Sequence, residues 1–191
     1  MKSFLLAALT AGLLSTPVTA QDWTLDTAAS TVEARLTVFN APVIAAFDQF
    51  DADIQFDPEA LENASISATV FAASGTVTNA EGEGVSDYQN AMEGTSGLDV
   101  NRYEAVRFES SSVSATDEGY EAAGTLSVRD VTRDVVLRFT LEIEGDRAVA
   151  QGGFSLSRAD LGLANSSWGN NVSDAIEIVL QIEADRASGT Q

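Results

Sequence analysis

The sequence predicts an all-β fold: eight antiparallel strands closed into one barrel, with one short helix in the 74–102 connection. Three observations predict it. Apolar residues recur at every second position through most of the chain after residue 30, the mark of strands with one buried face. The runs stop at turn-forming residues such as Asp57-Pro58 and Glu144-Gly145-Asp146. Eight such strands with almost no helix would leave open edges, and closing the sheet on itself removes them. A two-sheet sandwich is the other architecture the pattern allows.

The first strand covers 31–39, with Val32, Ala34, Leu36 and Val38 on one face and Glu33, Arg35 and Thr37 on the other. The second, 50–56, sets Phe50, Ala52, Ile54 and Phe56 against Asp51, Asp53 and Gln55. The third, 64–72, aligns Ile66, Ala68, Val70 and Ala72, and the fourth, 104–112, aligns Val106 and Phe108. Between them, 74–102 is rich in Gly, Ser, Asn and Glu and holds one short helix over 86–93. A connection this long in a compact domain points to a functional segment or a lid. The fifth strand, 119–128, carries Ala122, Gly124, Leu126 and Val128 inward. After a turn near Asp130, the sixth aligns Val135, Leu137, Phe139, Leu141 and Ile143. Gly145 and Asp146 tolerate positive φ and make the next hairpin. The seventh strand aligns Ala148, Ala150, Gly152, Phe154 and Leu156. An irregular stretch over 160–173 carries Trp168, and the last strand aligns Ile176, Ile178, Leu180 and Ile182. Residues 187–191 read as a disordered tail.

The chain begins with the pattern of a secretory signal peptide. Met1-Lys2 is positive, 4–14 is apolar apart from Thr10 and Gly12, and Val18-Thr19-Ala20 is a small-residue cleavage site. Cleavage after Ala20 would leave one barrel domain over 21–186. The apolar run is short of the ~20 residues a membrane helix needs. Lys2 is the single lysine, so losing it takes the formal charge from −19 to −20. Such a surface repels phosphate backbones, which argues against nucleic acid as a partner. It serves solubility, or it recognises a basic partner. Cys and His are absent. Disulfides, thiolate nucleophiles, the usual zinc sites and a Ser-His-Asp triad are therefore excluded, and no metal or cofactor is expected.

The inward row is rich in small residues: Ala34, Ala52, Ala68, Ala72, Ala122, Gly124, Ala148, Ala150 and Gly152. Either they fit the taper of a filled barrel or they leave room for one ligand. A ligand in such a lining is itself apolar, each buried CH₂ contributing ~0.8 kcal/mol. The candidate ligand-binding residues are Leu36, Val38, Ile54, Phe56, Val70, Phe108, Leu126, Phe139, Phe154, Arg158 and Trp168. Arg158 shares the inward parity of Phe154 and Leu156 near a strand end. It pairs there with an acid such as Asp160 or Asp174, or it meets a ligand head group, since an unpaired buried guanidinium is costly.

Several ordered motifs resemble the YceI-like family. They are Trp23-x-Leu25-Asp26, Ser30-x-Val32, Asp53-x-x-Phe56-Asp57-Pro58 and Leu98-Asp99-Val100-x-x-Tyr103-x-x-Val106-x-Phe108-x-Ser110. Gly119-Tyr120-x-Ala122-x-Gly124-Thr125-Leu126-x-Val128, Val131-Thr132-Arg133, Phe154-x-Leu156-x-Arg158-x-Asp160-Leu161-Gly162 and Trp168 complete the series. The resemblance implies an eight-stranded lipocalin-like barrel, usually periplasmic, that encloses an isoprenoid chain such as that of a quinone. It also implies proximity to a membrane b-type cytochrome. The chain departs from the family pattern at Val38, where many members carry His, at Ala45 in place of Gly, and at Glu104 in place of Pro.

Two functions follow as expectations. One is a periplasmic carrier of an isoprenoid or similar lipid. The other is an envelope interaction module that uses its acidic outer face and docks on a cytochrome or another envelope protein. Catalysis is not expected: the acid pairs Asp51/Asp53 and Glu81/Glu83 fall on an outward strand face and in a Gly-rich loop, where carboxylates are solvated.

Overall fold

The computed structural model describes residues 20–163 and 171–187. The expected leader before Ala20, Trp168 and residues 188–191 lie outside the described residues. Ala187, assigned from the sequence to a disordered tail, is tied down, its N–H donating to the Asp22 carbonyl at 2.9 Å.

Eleven strands and one α-helix make up the described fold. The strands are β1 (Asp22–Leu25), β2 (Thr31–Val38), β3 (Ala41–Phe47), β4 (Phe50–Gln55), β5 (Ser65–Phe71), β6 (Gly75–Asn79) and β7 (Ala105–Thr116). They continue with β8 (Gly119–Val128), β9 (Val131–Glu144), β10 (Arg147–Ser157) and β11 (Ala175–Arg186). The helix α1 (Ser86–Glu93) lies where the sequence places it. Eight strands form a ring in the order β1-β4-β5-β7-β8-β9-β10-β11, closed by β11 pairing back onto β1. All the pairings are antiparallel. From β11 the sheet also runs outward through β2, β3 and β6.

The outer strands continue barrel strands past a bend. β2 follows β1 along the same edge of β11, pairing with 177–181 where β1 pairs with 184–186. At the break Ser30 replaces a ladder partner: its buried hydroxyl accepts the Glu183 N–H at 2.9 Å and donates to the Asp26 carbonyl at 2.7 Å. Two further bends, between β3 and β4 and between β5 and β6, lie side by side. There Phe71 N–H donates to the Gln49 carbonyl at 2.9 Å, and Gln49 N–H donates to Ser74 Oγ at 3.1 Å.

β1, β3 and β6 are absent from the sequence reading. β1 is four residues long, Pro42 interrupts β3, and β6 lies in the polar connection. Pro42 is accommodated one residue into its strand, opposite Thr37. The β2–β3 hairpin turns through Phe39 and Asn40, at φ 51° and 63°, as two-residue hairpins of right-handed twist require. The 144–147 hairpin uses Gly145 at φ 62°, as expected.

The core divides in two. The larger cluster centres on Trp23, Phe56, Phe108, Leu126 and Leu137, and the smaller one joins Val38, Val43, Ala45 and Val77 under α1. Among the described residues, no large side chain is more than 98% buried. A close-packed core of this size would contain several. Inward residues such as Ala150, Phe154, Leu156, Ile178 and Leu180 are half-buried instead. Their exposure faces an internal space.

Candidate ligand-binding site

That space is a cavity of about 380 Å³ running through the barrel. The inward rows of β2, β4, β5, β10 and β11 line it, from Trp23, Ala148 and Ala184 at one end to Val172 and Arg158 at the other. Five alternate residues of β10, from Ala148 to Leu156, border it, and Arg158 just past the strand continues the row. Their span is ~33 Å along the strand, or roughly 25 Å along the axis at a barrel tilt of about 40°. Spread over that length, the volume describes a narrow bore, the shape of a single chain. The lining is almost wholly apolar.

Ten of the eleven candidate residues border this cavity: Leu36, Val38, Ile54, Phe56, Val70, Phe108, Leu126, Phe139, Phe154 and Arg158. Trp168 lies outside the described residues. Of the nine small inward residues, Ala34, Ala52, Ala68, Ala148, Ala150 and Gly152 border the cavity. Ala72, Ala122 and Gly124 do not: Ala72 begins a 3-10 turn at the bend, Ala122 is fully packed, and Gly124 lies against the Glu109 carbonyl. At those positions small size serves close packing and not ligand space.

The sequence reading missed Val43, Ala45 and Val77, together with Tyr88, Ala91, Met92, Ser96 and Leu98. The first three alternate correctly, but in strands too short or interrupted to stand out. The rest belong to α1 and the strap after it. Ala45, one of the family departures, is 5% exposed and packs with Met92 under α1.

The helix packs against the outer end of the sheet, where it stops at β6. Gln89 takes the place of a neighbouring strand there. Its Oε1 accepts the Val77 N–H at 2.8 Å, and its Nε2 donates to the Gly75 carbonyl at 2.8 Å and to Glu93 Oε1 at 2.6 Å. Beyond α1, Arg129 Nη1 donates to the carbonyls of Thr95 and Gly97 at 3.3 and 3.1 Å and holds the strap to the β8–β9 turn. Replacing Gln89 by Leu should leave the edge of β6 without these partners. We expect a loss of about 1–2 kcal/mol, with faster amide exchange at Val77. Unchanged exchange there would show that α1 is held by packing alone.

Arg158 holds a different set of partners from the acid expected of it. Its Nη1 donates to the Leu163 carbonyl at 2.9 Å, its Nε to Ser173 at 3.2 Å and its Nη2 to Val172 at 3.3 Å. It thereby ties together the two strands of chain that cover this end of the lumen. The Asp174 carboxylate is instead taken by Ser157 Oγ at 2.7 Å and by the Ala159 N–H at 2.9 Å. Those two bonds, Ser157 first, hold Asp174 below the usual carboxylate range, and the Arg158 charge adds a smaller pull in the same direction. A carboxylate with a depressed folded pKa stabilises the fold above its unfolded value and loses that effect as pH falls through the folded one. Asp174→Asn should therefore make stability less dependent on pH on the acid side of 3.8. Melting temperatures measured down a pH series check this, and identical slopes for the two proteins would contradict it.

The other end is shut by side chains. Trp23 Nε1 donates to the Phe56 carbonyl at 2.9 Å, and the segment after Phe56 crosses beneath, with Ala60 1% exposed. Arg147 clasps Asp26, Glu183 and Asp185 at the outer rim. Among the described residues, no group of His, Cys, Asp or Glu is placed to hold a metal ion. The site can enclose an apolar chain and offers it few hydrogen-bonding groups.

The YceI-like domain family matches residues 23–184, nearly all of the barrel. The chain belongs to the YceI-like family. Among solved structures, BcnA from Burkholderia cenocepacia superposes with a TM-score of 0.74 at 24% identity, over 83% of this chain and 98% of that one. The Campylobacter jejuni YceI protein gives 0.64 at 16%, over 98% and 100%. A polyisoprenoid binding domain from Saccharophagus degradans, implicated in plant cell wall breakdown, gives 0.64 at 12%, over 87% and 99%. No curated protein matches the sequence. At these identities the YceI-like neighbours share the fold with this chain, and the lumen described above is read from its own residues.

Proposed function

We propose that this YceI-like protein is a periplasmic binding protein that holds an isoprenoid or quinone-like lipid in its lumen. The observation that carries the reading is the narrow apolar cavity along the barrel, with no large side chain among the described residues completely buried. A hydrocarbon chain would fill it and need no hydrogen bonds, since each CH₂ it buries contributes ~0.8 kcal/mol. The S. degradans domain of the same fold is described as polyisoprenoid binding, which supports this ligand class. The leader-like start of the sequence supports export to the periplasm.

Calorimetric titration with a linear prenyl alcohol tests the reading. Saturable binding, a negative heat-capacity change and little dependence on salt are expected of apolar burial. No binding would sink it. The alternative, an envelope module that docks on a b-type cytochrome or another basic partner through the acidic exterior, draws on the formal charge of −19. It predicts partner capture that weakens steeply with salt and does not depend on the lumen.

A further inference from the structure

The two ends of the lumen differ in chemistry. Tyr88, Ser96 and Arg158 border it near α1 and the 158–163 segment, whereas Trp23, Phe56 and Phe139 border it at the closed end. These rings are fixed in place. Phe139 has Tyr120 and Gly152 as its register partners on the two neighbouring strands. The Tyr120 ring stacks on it at 5.6 Å, and Phe56 meets both rings edge-on, at 5.1 Å from Tyr120 and 6.1 Å from Phe139. Gly152 seats the strand against Phe139: a Cβ there would come within 2.6 Å of the Phe139 Cβ and 2.1 Å of the Arg138 carbonyl. Trp23 is 6% exposed, and the Arg186 guanidinium lies 5.3 Å from its ring, with a side chain 39% exposed. Solvent begins just past that ring. Packed aromatic rings in an antiparallel wall yield little, because interiors are as dense as organic crystals.

We propose that the rings of Trp23, Phe56 and Phe139 are the stop that sets the longest apolar chain the lumen accepts, with the tail against the rings and the head group at the α1 end. This rests on the lipid reading above. While the lumen has room, each added carbon should tighten binding by about fourfold. The first carbon that meets the rings should end the gain. A plot of affinity against chain length then rises and breaks at one length.

The test measures Kd for a series of linear 1-alkanols, lengthened one carbon at a time, on the full chain and on Phe139→Ala, Phe139→Leu and Leu36→Ala. Phe139→Leu guards against loss of folding in the larger truncation, and far-UV circular dichroism checks both. The break should move to longer chains in the two Phe139 variants, by about two carbons or more in Phe139→Ala. In Leu36→Ala, a side-wall position, affinity should fall at every length with the break unmoved. A break at the same length in the wild type and both Phe139 variants would overturn the stop while leaving lipid binding intact. Absence of binding at every length in the wild type would overturn the lipid reading, and the stop with it.

Discussion

Ala150→Phe should weaken binding of a linear prenyl alcohol by about 100-fold or more while leaving the protein at least as stable. Ala150 sits one inward step along β10 from Ala148, between Leu141 on β9 and Ile182 on β11, and faces the lumen. A phenyl ring there occupies the space of several ligand carbons, each worth about fourfold in affinity. The same ring buries its own apolar surface in a void that holds no other side chain. The gain is about 1–2 kcal/mol if it enters in a relaxed rotamer. Truncating a wall residue lowers both affinity and stability, whereas filling the bore separates them. Isothermal titration and thermal melts of the variant read the two effects. Undiminished affinity in a stable, folded variant would mean that the chain binds elsewhere.

Arg158→Ala should cost about 2–3 kcal/mol of stability. The guanidinium reaches the carbonyls of Leu163, Val172 and Ser173 from one planar group, and removing it strips all three of a charged donor. Arg158→Lys should recover only part of this loss, because an ammonium on a flexible stem cannot address three spread acceptors with the geometry of the guanidinium fork. Chemical denaturation of the three proteins measures the order. Arg158 also borders the lumen, so the ligand readout matters separately. With its donors engaged by backbone carbonyls, affinity per folded molecule should change little. A large loss of affinity with unchanged stability would assign Arg158 to the head group instead.

Much of this was legible in the sequence because a half-buried strand writes its burial into alternate residues. The long strands β7 to β11 could be read this way, and the parity of Phe154, Leu156 and Arg158 placed all three on the lumen. Parity reports which face a residue occupies, and it is silent on whether that face is filled. Ala122 and Ala150 therefore look alike in sequence, yet one is fully packed and the other borders a void. The missing part of the wall lies where short pieces cooperate. β6 is held by pairing with β3, well before it in the chain, and by Gln89 from α1, and β3 is a short strand with Pro42 near its start. The partner of Arg158 was missed for a related reason: the acceptors are backbone carbonyls, which no residue type announces. Several motif residues behind the family resemblance act on the scaffold and not on a ligand. Ser30 bridges a break, Trp23 bonds the Phe56 carbonyl, and the Asp57 carboxylate accepts the Glu59 N–H.

The central claim is that the barrel is hollow so that it can hold one apolar chain. Native mass spectrometry of protein purified from the cells that make it, with extraction and identification of any retained lipid, tests this most directly. We expect one lipid per chain, with an isoprenoid or similar linear tail, released on denaturation and absent from Ala150→Phe. A wild-type protein that is always free of lipid, and that takes up none when offered linear prenyl alcohols, would contradict the account.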